Sequence, residues 1–471
     1  MASATQLLKR YERLVDRRVL WEPLWRELAL YILPRKSTVI AQKSPGAKQT
    51  ENIFDSTAIH ANEVLAASIQ GALTNPVVRW FGLRMREKSL NDVQEVAAWL
   101  HECSERIFFA VQQSNFNASI NEVYLDLGAF GVAALLCEER EIVLPTFNGF
   151  VFHPLTIGEY VVDEDQEGFV DTVFRRFSLS ARLVAERWGL NASEKTTTKA
   201  MTEPEYPVLL LHAVFPRGTR RKRAQKPWAS VHVEVEAKQI LGESGYDENP
   251  YAVVRWAKTS GEMYGRGPGF TALPDVKTLN RAKEFDLKAW AKAIDPPMEV
   301  LDDGVIGVVK LTPGAPNPVR QMESIKPIQF GAKFEVSMLK VEDLRGSIRQ
   351  IFFNDQLQLP DKTIITATEV ERRLELMQRV LGPTIGRLEA ELLSRMVSRW
   401  FGIMFRREAL PPAPEIVLQA AQANQGDIDI VYEGPLARAQ RGSEILAVQR
   451  FLELILPLAE AKETVLDNVD F

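Results

Sequence analysis

Apolar positions recur at helical spacing through most of the first third of the chain. Leu7, Leu8, Tyr11, Leu14 and Val15 share one face, the mark of an amphipathic helix. Pro23 stands where a second helix can begin, carrying Leu24, Trp25, Leu28 and Ile32 until Pro34 stops it. Asp55 or Ser56 can cap a third helix, with Ile59, Asn62, Leu65, Ala66, Ile69 and Leu73 on its inner face and Asn75–Pro76 at its end. Asp92, followed three residues later by Glu95, has the form of a capping box for a fourth, striped by Val93, Val96, Ala97, Leu100, Ile107 and Val111.

From about Ile142 to Trp256 the pattern shortens to β-prone runs: Glu159–Val162, Val170–Arg175, Val208–Phe215, Ser230–Val235 and Ala252–Trp256, punctuated by Gly, Pro and Asn. Helical spacing returns near Pro268, with Leu287, Trp290, Ala291 and Ile294 before Asp295–Pro296–Pro297 ends it. Met298 to Phe330 reads as short strands, Val305–Leu311 the clearest, among four prolines. A second helix then carries Val341, Leu344, Ile348, Ile351 and Phe352. Thr366 or Thr368 offers a capping box to a helix closed by Gly382–Pro383, and Ile385, Leu388, Leu392, Met396 and Ile403 stripe the next, which ends before Pro411–Pro412. Asp427–Tyr432 alternates like a half-buried strand, and Ile445 to Ile455 forms a last helix that Pro457 kinks or breaks. The fold class is therefore α+β, with a helix, small β module, helix order at its centre.

Length and charge narrow the function. With 471 residues, 46% apolar and 25% charged, the chain is expected to fold as a globular protein of about three domains or fewer large ones. No apolar run reaches the ~20 residues that cross a bilayer, and the charged N-terminus has no secretory pattern, so an intracellular protein without a membrane partner is expected. Cys103 and Cys137 are expected as buried free thiols, both in apolar helical contexts. A net charge of −5 disfavours tight, sequence-blind DNA binding.

Catalytic constellations are missing from the sequence. The five histidines, His60, His101, His153, His212 and His232, make no metal-ligand spacing, and there is no nucleophile elbow or phosphate-binding loop. No cofactor is expected. Gly265–Arg266–Gly267–Pro268–Gly269 sits between a strand-like run and a helix, where a phosphate cradle would sit, but Pro268 removes a donor. Arg217, Arg220, Arg221, Lys222, Arg223 and Lys226 put six cations in ten residues between two strands. This is either a solvated loop or a patch for nucleic acid or an acidic partner. Lys277, Arg281, Lys288 and Lys292 fall within roughly 60° of one another on the helix after Pro268, facing either solvent or a neighbouring subunit, or DNA.

Five segments in order, WEPLWRELALYILP (Trp21–Pro34), DST (Asp55–Thr57) with LAASIQGALTNPVVRWF (Leu65–Phe81), RWAKTSGEMYGRGPG (Arg255–Gly269), TATEVER (Thr366–Arg372) and YEGPLARAQ (Tyr432–Gln440), resemble the head-to-tail connecting, or portal, proteins of short-tailed bacteriophages. The resemblance implies a ring, expected to be dodecameric, at one capsid vertex, through which double-stranded DNA is packaged and ejected. It implies an N-terminal wing over 1–269, stem helices at 270–294 and 333–353, a clip at 295–332, a channel loop at 354–365, a C-terminal wing at 366–433 and a helical crown at 434–471. Relatives usually continue past an NVDF-like segment, so the crown is expected to be either trimmed or short.

Leu287, Trp290, Ile294, Leu344 and Ile348 would pack the stem. The channel candidates are Lys277, Arg281, Lys288 and Lys292 with Asp355, Gln356, Gln358, Asp361 and Lys362. The implied partners are the major capsid and scaffolding proteins, the terminase large subunit and the tail adaptor; the implied place is the virion, after assembly in the host cytoplasm. Mild acidity suits a ring, which multiplies every lumen cation by its copy number and would otherwise grip a duplex that must slide. The competing expectations are an enzyme acting on nucleotides or DNA through the Gly265–Gly269 turn or the acidic cluster Asp163–Glu167, and a monomeric adaptor scaffold.

Overall fold

A computed structural model describes residues 3–39, 50–140, 147–218, 225–301, 308–309, 318–319, 324–328, 334–354, 381–422 and 427–433. Helices α1 (Ala4–Val19), α2 (Glu22–Tyr31) and α3 (Thr57–Leu73) form where the apolar spacing placed them. Ser3 and Gln6 make a reciprocal capping box on α1, and Pro23 opens α2. Strand β1 (Phe81–Met85) and the short helix α4 (Lys88–Asn91) precede α5 (Gln94–Gln112) and α6 (Phe116–Phe130). The capping box read at Asp92 does not form. Asp92 is the C-cap of α4, and α5 starts after Val93 with no side-chain cap.

Gly131, at φ 71°, ends α6 and turns the chain straight into β2 (Val132–Glu139). Then come β3 (Phe150–Leu155), β4 (Tyr160–Glu164), β5 (Val170–Ser180), helices α7 (Ala181–Trp188) and α8 (Glu194–Thr202), and strands β6 (Pro207–Pro216), β7 (Trp228–Glu234), β8 (Gln239–Tyr246) and β9 (Tyr251–Arg255). Two antiparallel sheets result, in the orders β3-β2-β9 and β4-β5-β6-β7-β8. Cys137 therefore lies on a central strand, not in a helix, while Cys103 lies on α5; both thiols are buried and free. Burial pushes their pKa values up to about 11 and about 12 respectively.

The five-stranded sheet is covered on both faces. Leu7, Leu8, Tyr11 and Leu14 of α1 close one side over Leu211 and Ala213, and Ala181 and Val184 of α7 close the other over Val208 and Leu210. Double cover is why Val208–Phe215 reads as a continuous apolar run. The main core joins α2, α3, α5 and α6 to the three-stranded sheet and to the C-terminal helices.

Helix α9 (Pro268–Ile294) leads through β10 (Met298–Val300), paired antiparallel with β11 (Ile325–Pro327), to α10 (Phe334–Ile351). Most of the expected strand Val305–Leu311 lies outside the described residues, as do the helix at Thr366 and the last helix after Ile445. Gly382 and Pro383, read as a stop, lie within helix 381–388, which passes through a π turn at Glu389–Leu393 into α11 (Ser394–Arg406). After α12 (Glu415–Gln422), strand β12 (Ile428–Tyr432) is half-buried and pairs antiparallel with β1, bringing the last described residues back to the first third of the chain.

Candidate functional site

Helix α9 has 27 residues, a length of roughly 40 Å. Its Ala272, Val276, Leu279, Leu287, Trp290 and Ile294 fall within roughly 80° of one another at 100° per residue. The stripe is one feature in sequence but two in structure. Ala272, Val276 and Leu279 are buried in the main core, whereas Leu287, Trp290 and Ile294 are 53%, 58% and 80% exposed. Burial on α9 stops at Asn280 because the helix outruns the body of the chain. The three distal residues are thus not core residues of the single chain. Within the chain, α10 enters the core through Val341 and Ile348, with Leu344 half-buried against it.

The surroundings of this distal half are also apolar. Of the 24 exposed large hydrophobic side chains among the described residues, twelve lie between Phe285 and Leu339. A local concentration of that kind marks a surface built to be covered.

Helices α9 and α10 are anchored by one segment, residues 52–55. Asn280 of α9 accepts the Phe54 N–H at 2.7 Å and donates to the Asn52 carbonyl at 2.8 Å. Arg345 of α10 donates from Nε and Nη2 to Asp55, at 3.0 and 2.7 Å. Ser347 ties the helices directly, donating to Asp275 at 2.8 Å. Burial alone would raise the Asp55 carboxyl, but hydrogen bonds from Thr57 and the Arg345 guanidinium outweigh it and hold its pKa below the usual value.

The basic residues of α9 are distributed differently from a free cationic track. Lys277 pairs with Glu27 at 3.1 Å and Lys288 with Glu284 at 2.5 Å, while the Arg281 guanidinium sits 5.8 Å over the Phe285 ring. Of the basic run, Arg217 pairs with Glu243 at 3.0 Å and Lys226 with Asp247 at 2.9 Å. Arg220, Arg221, Lys222 and Arg223 lie outside the described residues, as do Asp355, Gln356, Gln358, Asp361 and Lys362 and the whole of 434–471.

The Gly265–Gly269 turn is a packing joint. A Cβ on Gly267 would come within 2.7 Å of the Leu127 carbonyl oxygen, and one on Gly269 within 2.4 Å of that of Ala129. The turn lies against the carbonyl end of α6, whose dipole opposes the attraction that the N-terminus of α9 would exert on a phosphate. Two carboxylates of the acidic cluster are ion-paired, and Asp165 accepts the backbone N–H groups of Glu167 and Phe169. Asp163 pairs with Arg10 and Arg17, and Glu164 with Arg255 and Lys258.

Arg255 is the residue sequence reasoning missed. It is buried at the end of β9, and its backbone N–H and guanidinium both donate to Glu391 in the π turn, with Nη2 to Oε1 at 2.6 Å. Nη2 also reaches the Gly168 carbonyl at 2.9 Å, and Nη1 reaches Glu164. This junction, with Arg399 donating to the Cys137 carbonyl at 3.0 Å and the Trp99 indole to that of Pro411 at 3.0 Å, fixes residues 381–422 to the first half of the chain. An arginine opening a glycine-rich word was the available signal.

Among the described residues, no group of three or more side chains is arranged to hold a metal ion, and no helix is long and apolar enough to cross a membrane. Solved structures with loosely similar chains include "Virion of native gene transfer agent (GTA) particle", at TM-score 0.38 and 13% identity over 91% of this chain and 94% of that one. Another is "Neck of native GTA particle computed with C12 symmetry", at TM-score 0.37 and 11% identity over 88% and 89%. These likenesses are too loose to fix the fold. Sequence relatives are closer. The "Probable portal protein" of Bordetella phage BPP-1 is 31% identical over 491 residues, covering 100% of this chain and 86% of that protein. The "Portal protein" of Salmonella phage epsilon15 is 27% identical over 485 residues, covering 99% and 85%. With the model of the family "Bacteriophage head to tail connecting protein" matching residues 4–471, the chain belongs to that family.

Proposed function

We propose that this chain is the portal subunit of a phage particle: a closed ring of identical chains, twelve by the family pattern, at one capsid vertex, through which double-stranded DNA enters and leaves. The observation that carries the reading is the stripe of α9, whose distal residues Leu287, Trp290 and Ile294 continue a core-facing stripe yet are more than half exposed among the described residues. A neighbouring copy covers such a surface in a ring, because heterologous contacts close under cyclic symmetry. Near-full-length identity to two phage portal proteins supports the same reading.

On this reading α9 and α10 are the stem, residues 295–332 the clip, the flanking α+β regions 1–269 and 366–433 the wing, 354–365 the channel loop and 434–471 the crown. The clip is a docking platform for the terminase large subunit and later the tail adaptor. Capsid and scaffolding proteins meet the wing during assembly in the host cytoplasm, and the protein does no catalysis of its own. DNA slides past Lys277, Arg281, Lys288 and Lys292, of which Glu27 tempers Lys277, Glu284 tempers Lys288 and the Phe285 ring lies under Arg281. A tempered stripe releases few counterions and leaves the duplex free to move.

The test is Leu287→Asp and Trp290→Asp. Each replaces an exposed residue, so the single chain keeps its fold and melting temperature, while an unpaired carboxylate in the covered face blocks ring assembly. Normal rings from both variants would refute this face as a subunit contact.

A further inference from the structure

A cleft of about 750 Å³ opens between the ends of β2, β3 and β8 and helix α11, away from the stem. Its walls carry Arg140, Arg187, Lys226, Arg399, Arg406 and Arg407. Glu138, Glu139 and Asp247 stand among them, and Glu248 engages Arg406 from behind at 2.6 and 2.8 Å. Positive charge is in excess by two.

Several of these cations are held rigidly. Arg399 is buried, donates to the carbonyls of Cys137 and Glu248 at 3.0 and 3.1 Å, and lies 5.0 Å over the Tyr246 ring. Arg407 is forked onto Glu139 at 2.8 and 3.1 Å, and Lys226 is set by Asp247 at 2.9 Å. Fixed guanidinium groups lose little freedom when a carboxylate arrives, which favours carboxylate recognition. Val151, Tyr246 and Ile403 add apolar wall between the charges.

We infer that this cleft binds an acidic peptide segment of a second polypeptide, one that alternates carboxylates with apolar side chains. The interspersed Glu138, Glu139 and Asp247 would repel the unbroken charge of a nucleic-acid backbone but leave room for spaced carboxylates. Recognition runs through side chains and not by adding a strand to β3. The outer N–H and carbonyl of Phe152 are already bonded to the Asn115 amide, at 2.9 and 2.7 Å.

The experiment titrates the whole chain with a labelled peptide of three Glu-Glu-Leu-Gly repeats, followed by fluorescence anisotropy. Saturable binding is expected, weakening at least ~10-fold when salt rises from about 50 to about 300 mM. The double variant Arg140→Glu, Arg187→Glu should lose at least ~10-fold in affinity with an unchanged melting temperature. Should that variant fold poorly, Lys226→Ala gives the same comparison. No saturation at about 1 mM peptide, wild-type affinity in folded variants, or equal displacement by duplex DNA or inorganic phosphate would overturn the inference. Ring assembly is not part of the readout, so the result stands apart from the portal reading.

Discussion

Arg345 of α10 holds Asp55, the residue ahead of α3, through two hydrogen bonds of 3.0 and 2.7 Å to one carboxylate oxygen, while the other oxygen accepts the Thr57 N–H at 2.9 Å. One acidic side chain thereby joins the start of α3 to α10. Asp55 is almost fully buried, so the pair is not a surface ion pair of negligible worth.

Asp55→Ala should strip the partly exposed Arg345 of one carboxylate partner and the Thr57 N–H of its acceptor, destabilising the chain by about 1–3 kcal/mol in denaturant unfolding. Asp55→Asn keeps the acceptor for Thr57 and should cost less. Equal stability of Asp55→Ala and wild type would show that the segment does not clamp α10.

The glycine turn gives a second outcome. Gly267→Ala places a methyl 2.7 Å from the Leu127 carbonyl and 3.0 Å from the Gly131 Cα, both backbone atoms that cannot swing away. The expected cost is about 1–3 kcal/mol of stability. If the turn were instead a phosphate cradle, the variant would melt like wild type and lose nucleotide binding measured by calorimetry.

Acid should loosen the five-stranded sheet. His212 and His232 stack at 4.1 Å across β6 and β7, with His212 bonded to Tyr251 and Ser230 and His232 against Trp188. Burial pushes both imidazoles down, helped by Arg187 and, for His212, by His232 and Arg175; His232 falls to about 4. Their folded pKa values lie below the unfolded one, so the folded state binds fewer protons. Stability is full above about pH 6.5 and falls toward pH 4. Asp126, pushed up to about 6 by burial against the pull of Lys36, works in the opposite sense between about pH 4 and 6. His232→Phe should remove about 3 kcal/mol of the acid loss, read from unfolding at pH 7 and pH 4.5. An unchanged slope would count against the pair as its source.

Shortening residues 355–365 should spare ring assembly but impair completion of packaging or retention of DNA. On the proposed portal reading the 354–365 loop gates the channel, Asp355 and Asp361 repelling phosphates while Lys362, Gln356 and Gln358 make brief contacts. A shortened chain that packages and holds DNA normally would remove the gating role.

Legibility in the sequence followed exposure. Helices with one wet face, such as α1 and α3, announced themselves through Leu7, Tyr11, Leu65 and Ile69. Strands β1 and β2 did not, since β1 gains its meaning only from β12, about 350 residues later, and β2 is apolar from Val132 to Cys137, where both its faces are buried. The α9 stripe was visible as apolar spacing, but where its cover stops depends on how far the helix outruns the core. Arg255 and Glu391, 136 residues apart, could be joined only by folding.

The most direct measurement of the central claim is the mass of the purified chain in solution, by light scattering with class-averaged electron micrographs, in the presence of capsid components. The account predicts a closed ring with a central channel, at about twelve times the chain mass of 53.1 kDa. Monomer or dimer alone under those conditions would contradict it.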